Sequence, residues 1–333
     1  MRIGITDYVL PPFDFEARAF DDKAKFVYFD AHDEKDLDTR KIETVDALLV
    51  WHMPITSKIV SRLKNCKIVV RYGVGYDNID IEALWKQRIP FCNTPDYGTE
   101  EVADTCCAMI LNMQRKISHY DSFAKVIDQG WQEHILRPIL RSRQTIIGLV
   151  GVGRIGTAVV NRLKSFGFKI VAFDPYQSPG HEKAIGYRRV DTLEELLQCA
   201  DIVSLHCPLN TETKGMVDKK FLSQMKPGAS LVNTARGGLV ESLDVVEDSL
   251  RSHNLAQAAF DVLPDEPPSD HSLIKSWREN DPSIAGRLVI SPHTAYYSEQ
   301  AWVEMRYKAA ETASIFLRNG KIRNLVTPSH ADG

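Results

Sequence analysis

Short apolar runs rich in β-branched residues recur along the chain, separated by longer stretches in which apolar residues return every three or four positions. The runs are Arg2–Thr6, Lys25–Phe29, Ala47–Trp51, Lys67–Arg71, Ile146–Val150, Lys169–Phe173, Ile202–His206, Ser230–Asn233, Ala258–Val262 and Leu288–Ser291. Such alternation predicts βαβ units and parallel sheets. The helical stretches carry their own punctuation. Arg154–Phe166 lays Ile155, Val159, Val160, Leu163 and Phe166 on one stripe and meets Gly167, a usual left-handed terminator. Thr192-Leu-Glu-Glu195 reads as a capping box: the Thr192 hydroxyl takes the amide of Glu195, and the Glu195 carboxylate returns to the amide of Thr192. Near residue 100 a long helix, Glu101–Lys116, leads from the first set of strands to the second. Another, Ser298–Asn319, ends before Gly320, and the tail Lys321–Thr327 is expected to rejoin the first set. The expected fold is α/β, with two doubly wound parallel sheets and a cleft between them: a discontinuous domain, 1–99 with 299–333, and a continuous one, 100–298. Pro264–Gly286, with its Pro, Asp and Ser content, reads as a surface loop beside the site.

Composition narrows the class. The 333 residues are 44% hydrophobic and 26% charged, a globular balance that excludes disorder. The length exceeds what one core usually serves, since domains run to roughly 100–200 residues. With 41 Lys+Arg against 44 Asp+Glu the net charge is -3, so no general basic field exists for nucleic acid or an anionic membrane. No apolar run approaches the roughly 18–20 residues that span a bilayer, and Met1–Asp7 reads as a strand rather than a signal peptide, so a cytoplasmic location is expected. Six cysteines (Cys66, Cys92, Cys106, Cys107, Cys199, Cys207) lie in apolar segments without metal spacing and are expected to be reduced core thiols; no metal is expected.

Gly151-Val-Gly153-Arg-Ile-Gly156 follows one strand and opens one helix, the setting a dinucleotide requires. Gly151 permits the turn, Gly153 lets backbone approach a pyrophosphate, and Gly156 allows helix and strand to pack closely. The helix N-terminus then faces the phosphates. The next strand ends at Asp174, 18 residues after Gly156, where a carboxylate accepts ribose hydroxyls and repels a 2′-phosphate, favouring NAD over NADP. Later strands end in polar groups at the edge where open α/β sheets place ligands. Asn233-Thr-Ala-Arg236-Gly-Gly offers a guanidinium for a carboxylate; Glu266 follows the next strand and His293 the one after. Each alone reads more readily as ordinary surface or packing chemistry, but together they end three consecutive strands.

These residues carry a resemblance. Gly151–Gly156, Asn233–Val240, Asp261–Pro267 and Ser291–Gln300 resemble the D-isomer-specific 2-hydroxyacid dehydrogenase family over nearly the whole chain. Arg71-Tyr-Gly73-Val-Gly75-Tyr-Asp77-Asn-Ile-Asp80, Glu101-Val-Ala-Asp104 and Tyr297-Ser-Glu-Gln-Ala301 resemble its C-terminal-binding protein branch, corepressors that retain a dehydrogenase site. The resemblance implies a Rossmann NAD domain, a flavodoxin-like substrate domain, a homodimer, and Arg236, Glu266 and His293 as the catalytic trio. It implies cofactor contacts at Val74, Arg154, Ile155, Asp174, Cys207, Pro208, Thr213, Thr234, Ala235, Asp261 and His293, with Asp261 at the nicotinamide amide. Arg71 and the amides of Gly73, Val74 and Gly75 would face the substrate carboxylate, with His52, Met53, Tyr76, Tyr97 and Tyr296 as pocket walls. The position of Tyr296 is normally tryptophan in the corepressor branch, and Trp131, after Gln129-Gly130, matches an aromatic near the dimer contact. The chain ends soon after its last helix, so the regulatory domain appended to some phosphoglycerate dehydrogenases is expected to be absent.

The chemistry asks for these residue types. Reducing a small 2-oxo acid with NADH needs a proton donor for the new alkoxide, which a protonated His293 supplies. Glu266 would fix its tautomer, and Arg236 would stabilise the growing charge. Two other readings remain: a dinucleotide-sensing corepressor that captures peptides, and a dehydrogenase of a phosphonate- or phosphate-bearing acid. The latter draws on Met53-Pro54, which resembles a position in phosphite dehydrogenases, and on Arg71, Arg137, Arg141 and Arg143.

Overall fold

The computed structural model describes residues 1–125, 131–136, 138–268 and 270–328. In chain order its strands are β1 (Arg2–Ile5), β2 (Lys25–Tyr28), β3 (Ala47–Val50), β4 (Ile68–Arg71), β5 (Phe91–Cys92), β6 (Ile146–Val150), β7 (Lys169–Phe173), β8 (Arg188–Arg189), β9 (Ile202–Leu205), β10 (Ala229–Asn233), β11 (Leu255–Phe260), β12 (Leu288–Ile290) and β13 (Leu325–Val326). Two compact units result. One comprises Met1–Gly98, Asn210–Glu212 and Tyr297–Gly333; the other comprises Thr99–Leu209 and Thr213–Tyr296.

The first unit is built on a six-stranded sheet in the order β13-β5-β4-β3-β1-β2. Every residue of β3 and β4 is buried, as expected of strands covered on both faces. The tail does return to this sheet, but β13 pairs antiparallel with β5, so the sheet is mixed at that edge rather than wholly parallel. Two-residue strands such as β5 and β13 are too short to leave a periodic signal in sequence. The helix Glu299–Asn319 starts where the Ser298 side chain accepts the Ala301 amide and stops at Gly320, whose φ is 73°. Its buried Ala309, Ala310 and Ala313 let it lie close over β4 and β3. Under it Arg306 grips the fully buried Glu16 at 2.7 Å, and Tyr72 donates to the same carboxylate at 3.2 Å.

The second unit carries a seven-stranded parallel sheet in the order β12-β11-β10-β9-β6-β7-β8. Strand order reverses at β6, which has β9 on one side and β7 on the other, and this reversal opens the switch point where α/β sheets bind ligands. The helix Arg154–Ser165 buries Val159, Val160 and Leu163 against the sheet, and Gly167 leaves it at φ 79°. At Thr192 half of the expected capping box forms: Glu195 donates its amide to the Thr192 hydroxyl at 3.1 Å. The Glu195 carboxylate instead turns to the amide of Asp191 and to Arg188, whose charge outbids a backbone donor. The stretch Pro264–Gly286 is not all loop. It contains the helix Ser272–Arg278, whose Leu273 and Ile274 are buried in the core. The six cysteines are free thiols, four of them buried.

Two measurements follow from this packing. Breaking the Arg306–Glu16 pair from one side leaves a buried charge, so Glu16→Leu is expected to cost about 3–5 kcal/mol in denaturant unfolding. Burial also pushes the His206 and His119 imidazoles down to about 4 from 6.5, with Lys116 and Arg287 adding to the effect at His119. The unfolded chain therefore takes up protons that the folded chain refuses. Their contribution is whole above pH 6.5 and is lost as pH falls toward 4, which a melting temperature declining across that window would register.

Candidate active site

The dinucleotide loop in the second unit is shaped by close approaches. Gly151 sits at φ 94°, and a Cβ there would stand 2.9 Å from the Cys207 amide nitrogen. At Gly156 a Cβ would stand 2.5 Å from the Gly151 carbonyl oxygen, so helix and strand pack only because it is glycine. A Cβ on Gly153 would meet nothing within 4 Å, leaving the loop open toward a ligand. Arg154 and Ile155 follow at the helix start. Asp174 accepts the Val152 amide at 2.8 Å and the Tyr176 amide at 3.0 Å, one on each oxygen, which ties it to the glycine loop. Arg189 donates to the carbonyls of Gln177 and Asp174 at 3.0 and 3.4 Å. Cys207 touches the Met216 sulfur at 3.8 Å, and the Thr213 hydroxyl donates to the Pro208 carbonyl at 2.6 Å. The Thr234 hydroxyl is buried without a nitrogen or oxygen partner among the described residues, and Ala235 follows it. An open glycine turn and an acid anchored at the end of the second strand fit NAD(H).

The three polar strand ends converge in the same unit. His293 Nδ1 lies 2.6 Å from Glu266 Oε2, while Glu266 Oε1 accepts the Leu263 amide at 2.9 Å. Burial works to raise the Glu266 pKa, but the His293 contact, the Leu263 amide and the charge of Arg236 outweigh it and hold the carboxyl below its ordinary value. Arg236 is therefore within electrostatic reach of the pair. Its loop is held by Asn233, whose side chain donates to the Arg236 carbonyl at 2.8 Å and accepts the Ala235 amide at 3.0 Å. A Cβ on Gly237 would fall 1.8 Å from the Leu263 carbonyl oxygen, so this glycine alone lets the Arg236 loop lie against the Glu266 loop.

His293 has a left-handed backbone, φ 54°, uncommon for a side chain of its size. Asp261 holds it there. The Asp261 carbonyl accepts the His293 amide at 2.8 Å, and its buried carboxylate accepts the Ser291 hydroxyl and the amides of Thr294 and Ala295 at 2.6–3.0 Å. Asp261 is thus engaged as a clamp on the histidine loop, a role that spacing did not reveal. The Tyr296 ring stands 6.4 Å from that of His293, nearly perpendicular.

In the first unit, Arg71 lies over Gly73, where a Cβ would fall 2.3 Å from its guanidinium, and donates Nε to Asn78 at 3.2 Å. Gly73, Val74 and Gly75 form the loop beyond β4, with the Val74 carbonyl tied by Asn93 at 2.7 Å. His52 is exposed, whereas the Met53 side chain is buried in the same apolar cluster as Ile55 and Ile59. Tyr76 and Tyr97 are half-buried. Asp7, which sequence reasoning passed over, accepts the amides of Trp51, His52 and Met53 at 3.2, 2.6 and 3.0 Å. Its only signal was a carboxylate just past the end of the first strand. Trp131 is exposed, and Gln129, Gly130 and Arg137 lie outside the described residues.

Comparison with known proteins bears on this geometry. Residues 107–295 match the model for the NAD binding domain of D-isomer specific 2-hydroxyacid dehydrogenases. A glyoxylate reductase of Thermococcus litoralis is 34% identical over 86% of this chain and 85% of its own length. C-terminal-binding protein 1 of Caenorhabditis elegans is 30% identical over 87% of this chain, which spans 40% of that longer protein. A D-lactate dehydrogenase of Aquifex aeolicus, solved with NAD and lactic acid, superposes with a TM-score of 0.81 at 25% identity over 96% of each chain. No helix among the described residues is long and apolar enough to cross a membrane. The glycine turn, the anchored acid and the matched domain together make NAD(H) the cofactor, and the chain belongs to the D-isomer-specific 2-hydroxyacid dehydrogenase family.

Proposed function

We propose that this chain interconverts small 2-oxo acids and D-2-hydroxy acids, with His293 and Glu266 as the acid–base pair and Arg236 as the clamp on the substrate carboxylate. When bound, NADH supplies the hydride, two electrons to the carbonyl carbon. His293 Nε2 gives the proton that the carbonyl oxygen needs, so the products are the hydroxy acid and NAD+. Glu266 accepts a hydrogen bond from Nδ1–H, which sets the tautomer and favours the imidazolium that donates. Because its carboxyl is held below the usual range, Glu266 is ionised at neutral pH. Arg236 holds the carboxylate and draws charge toward the oxygen that becomes an alkoxide. Arg71 and the amides of the Gly73–Gly75 loop in the first unit are assigned to substrate binding, and a homodimer is the assembly we propose.

The 2.6 Å contact between His293 and Glu266, with Arg236 in electrostatic reach, carries this reading. A packing histidine has no call for a strained backbone, a dedicated clamp and an ionised partner at once. The identity to a C-terminal-binding protein supports a second reading, a dinucleotide-sensing protein that captures peptides. Steady-state oxidation of NADH with a panel of 2-oxo acids separates the two, since turnover of none would leave only the binding role.

His293→Ala is expected to lower kcat by about 10²–10⁴-fold with little change in KM, as loss of general acid catalysis does. Arg236→Ala should lower kcat and raise KM together, and near-normal turnover in either variant would remove its assignment. For the cofactor, Asp174→Ala is expected to narrow the preference for NADH over NADPH, read as the ratio of their kcat/KM values. A wild-type enzyme that already prefers NADPH would overturn the repulsion argument.

A further inference from the structure

A closed ring of bonds in the second unit joins the end of β7 to the glycine turn, and the chemistry above leaves it unused. Residues 174–177 meet that turn at one residue, Val152, through both of its backbone polar atoms. The Val152 amide donates to one oxygen of Asp174 at 2.8 Å, and the Val152 carbonyl accepts the Gln177 side-chain amide at 3.2 Å. The second Asp174 oxygen takes the Tyr176 amide at 3.0 Å. The carboxylate therefore cannot turn without breaking a bond.

Arg189 completes the ring from the edge of the sheet. It lies on β8, where it pairs with Ala172 of β7, two residues before Asp174. One guanidinium nitrogen donates to the Gln177 carbonyl at 3.0 Å and the other to the Asp174 carbonyl at 3.4 Å. A planar fork spanning two carbonyls fixes their separation, which the point charge of an ammonium does not. Both bonds end on main-chain oxygens rather than on the carboxylate.

Such a mounting bears on cofactor choice. A carboxylate accepts about four hydrogen bonds, so one amide on each oxygen leaves acceptor capacity for ribose hydroxyls. A loose carboxylate could swing away from a 2′-phosphate, whereas a fixed one holds the two like charges close. Specificity is a difference between two affinities, and rigidity acts on both: it favours the hydroxyl and penalises the phosphate.

Resting on the assignment of Asp174 to the adenosine ribose, we infer that Arg189 is a positioning residue for cofactor choice. With Gln177 it locks the Asp174 carboxylate against Val152, and this lock, beyond the carboxylate itself, sets the preference for NADH over NADPH. The charge of Arg189 acting alone would work the other way, because a cation near the ribose attracts a 2′-phosphate. The two effects differ in sign, so they can be told apart.

The test is calorimetric titration of the full chain with NADH and with NADPH, read as the ratio of their dissociation constants. Arg189→Leu is expected to weaken NADH about tenfold and NADPH less, narrowing the preference about three- to tenfold, the size of one or two lost hydrogen bonds. Arg189→Lys keeps the charge without the fork and should narrow it too. Gln177→Met removes only the bond to Val152 and should narrow it about threefold. A merely structural arginine would weaken both cofactors equally, so a fixed ratio in Arg189→Leu would overturn the inference. A widened preference would overturn it as well, showing the guanidinium felt only as charge. Asp174→Ala in the same assay separates the two layers. If that variant leaves the ratio unmoved, the ribose assignment fails and the lock with it; if it narrows the ratio while Arg189→Leu does not, the lock alone fails. Should Arg189→Leu not fold, judged by its melting temperature, Arg189→Lys and Gln177→Met decide.

Discussion

One buried carboxylate holds the chemistry of the second unit together. Asp261 takes the Ser291 hydroxyl and the amides of Thr294 and Ala295, and its carbonyl takes the amide of His293. Those bonds offset the cost of a left-handed histidine and aim its ring at Glu266. Without them the loop after β12 would relax, and the imidazole would lose its partner before any substrate arrived. The proposed acid–base pair depends first on this clamp and only then on its own contact.

Glycines play the complementary part. Gly237 brings the Arg236 loop against the Leu263 carbonyl, and Gly156 brings a helix onto the Gly151 carbonyl. Both are approaches that any side chain would block. The charges of Arg236, Glu266 and His293 can then act on one another at short range, and the Glu266 carboxyl stays ionised despite its burial. The first unit uses polar side chains for the same purpose. Asp7 takes the amides of residues 51–53, and Asn78 ties the carbonyls of Trp51 and Met53 to Arg71. Buried polar groups with every bond made rigidify whatever they hold.

Much of this was legible from residue order. Strands of four or five apolar residues, a glycine turn between β6 and its helix, and an acid at the end of β7 each follow from local periodicity or backbone need, so sequence spacing reports them. Two-residue strands escaped because their pairing is set by neighbours rather than by their own side chains. The return bond of the Thr192 cap was misjudged because Arg188, seven residues earlier on β8, competes for Glu195.

The amino-acid order by itself determined that this is a two-sheet α/β chain with a dinucleotide turn and polar groups ending three successive strands, because those features depend on contacts a few residues apart. Only the tertiary structure decided that Asp261 clamps the histidine loop, that His293 meets Glu266 at 2.6 Å, and that the rings of Tyr8, Trp51, His52 and Trp302 gather together. These bonds join residues tens to hundreds of positions apart, and no local pattern records which distant groups the sheets will carry to the same edge.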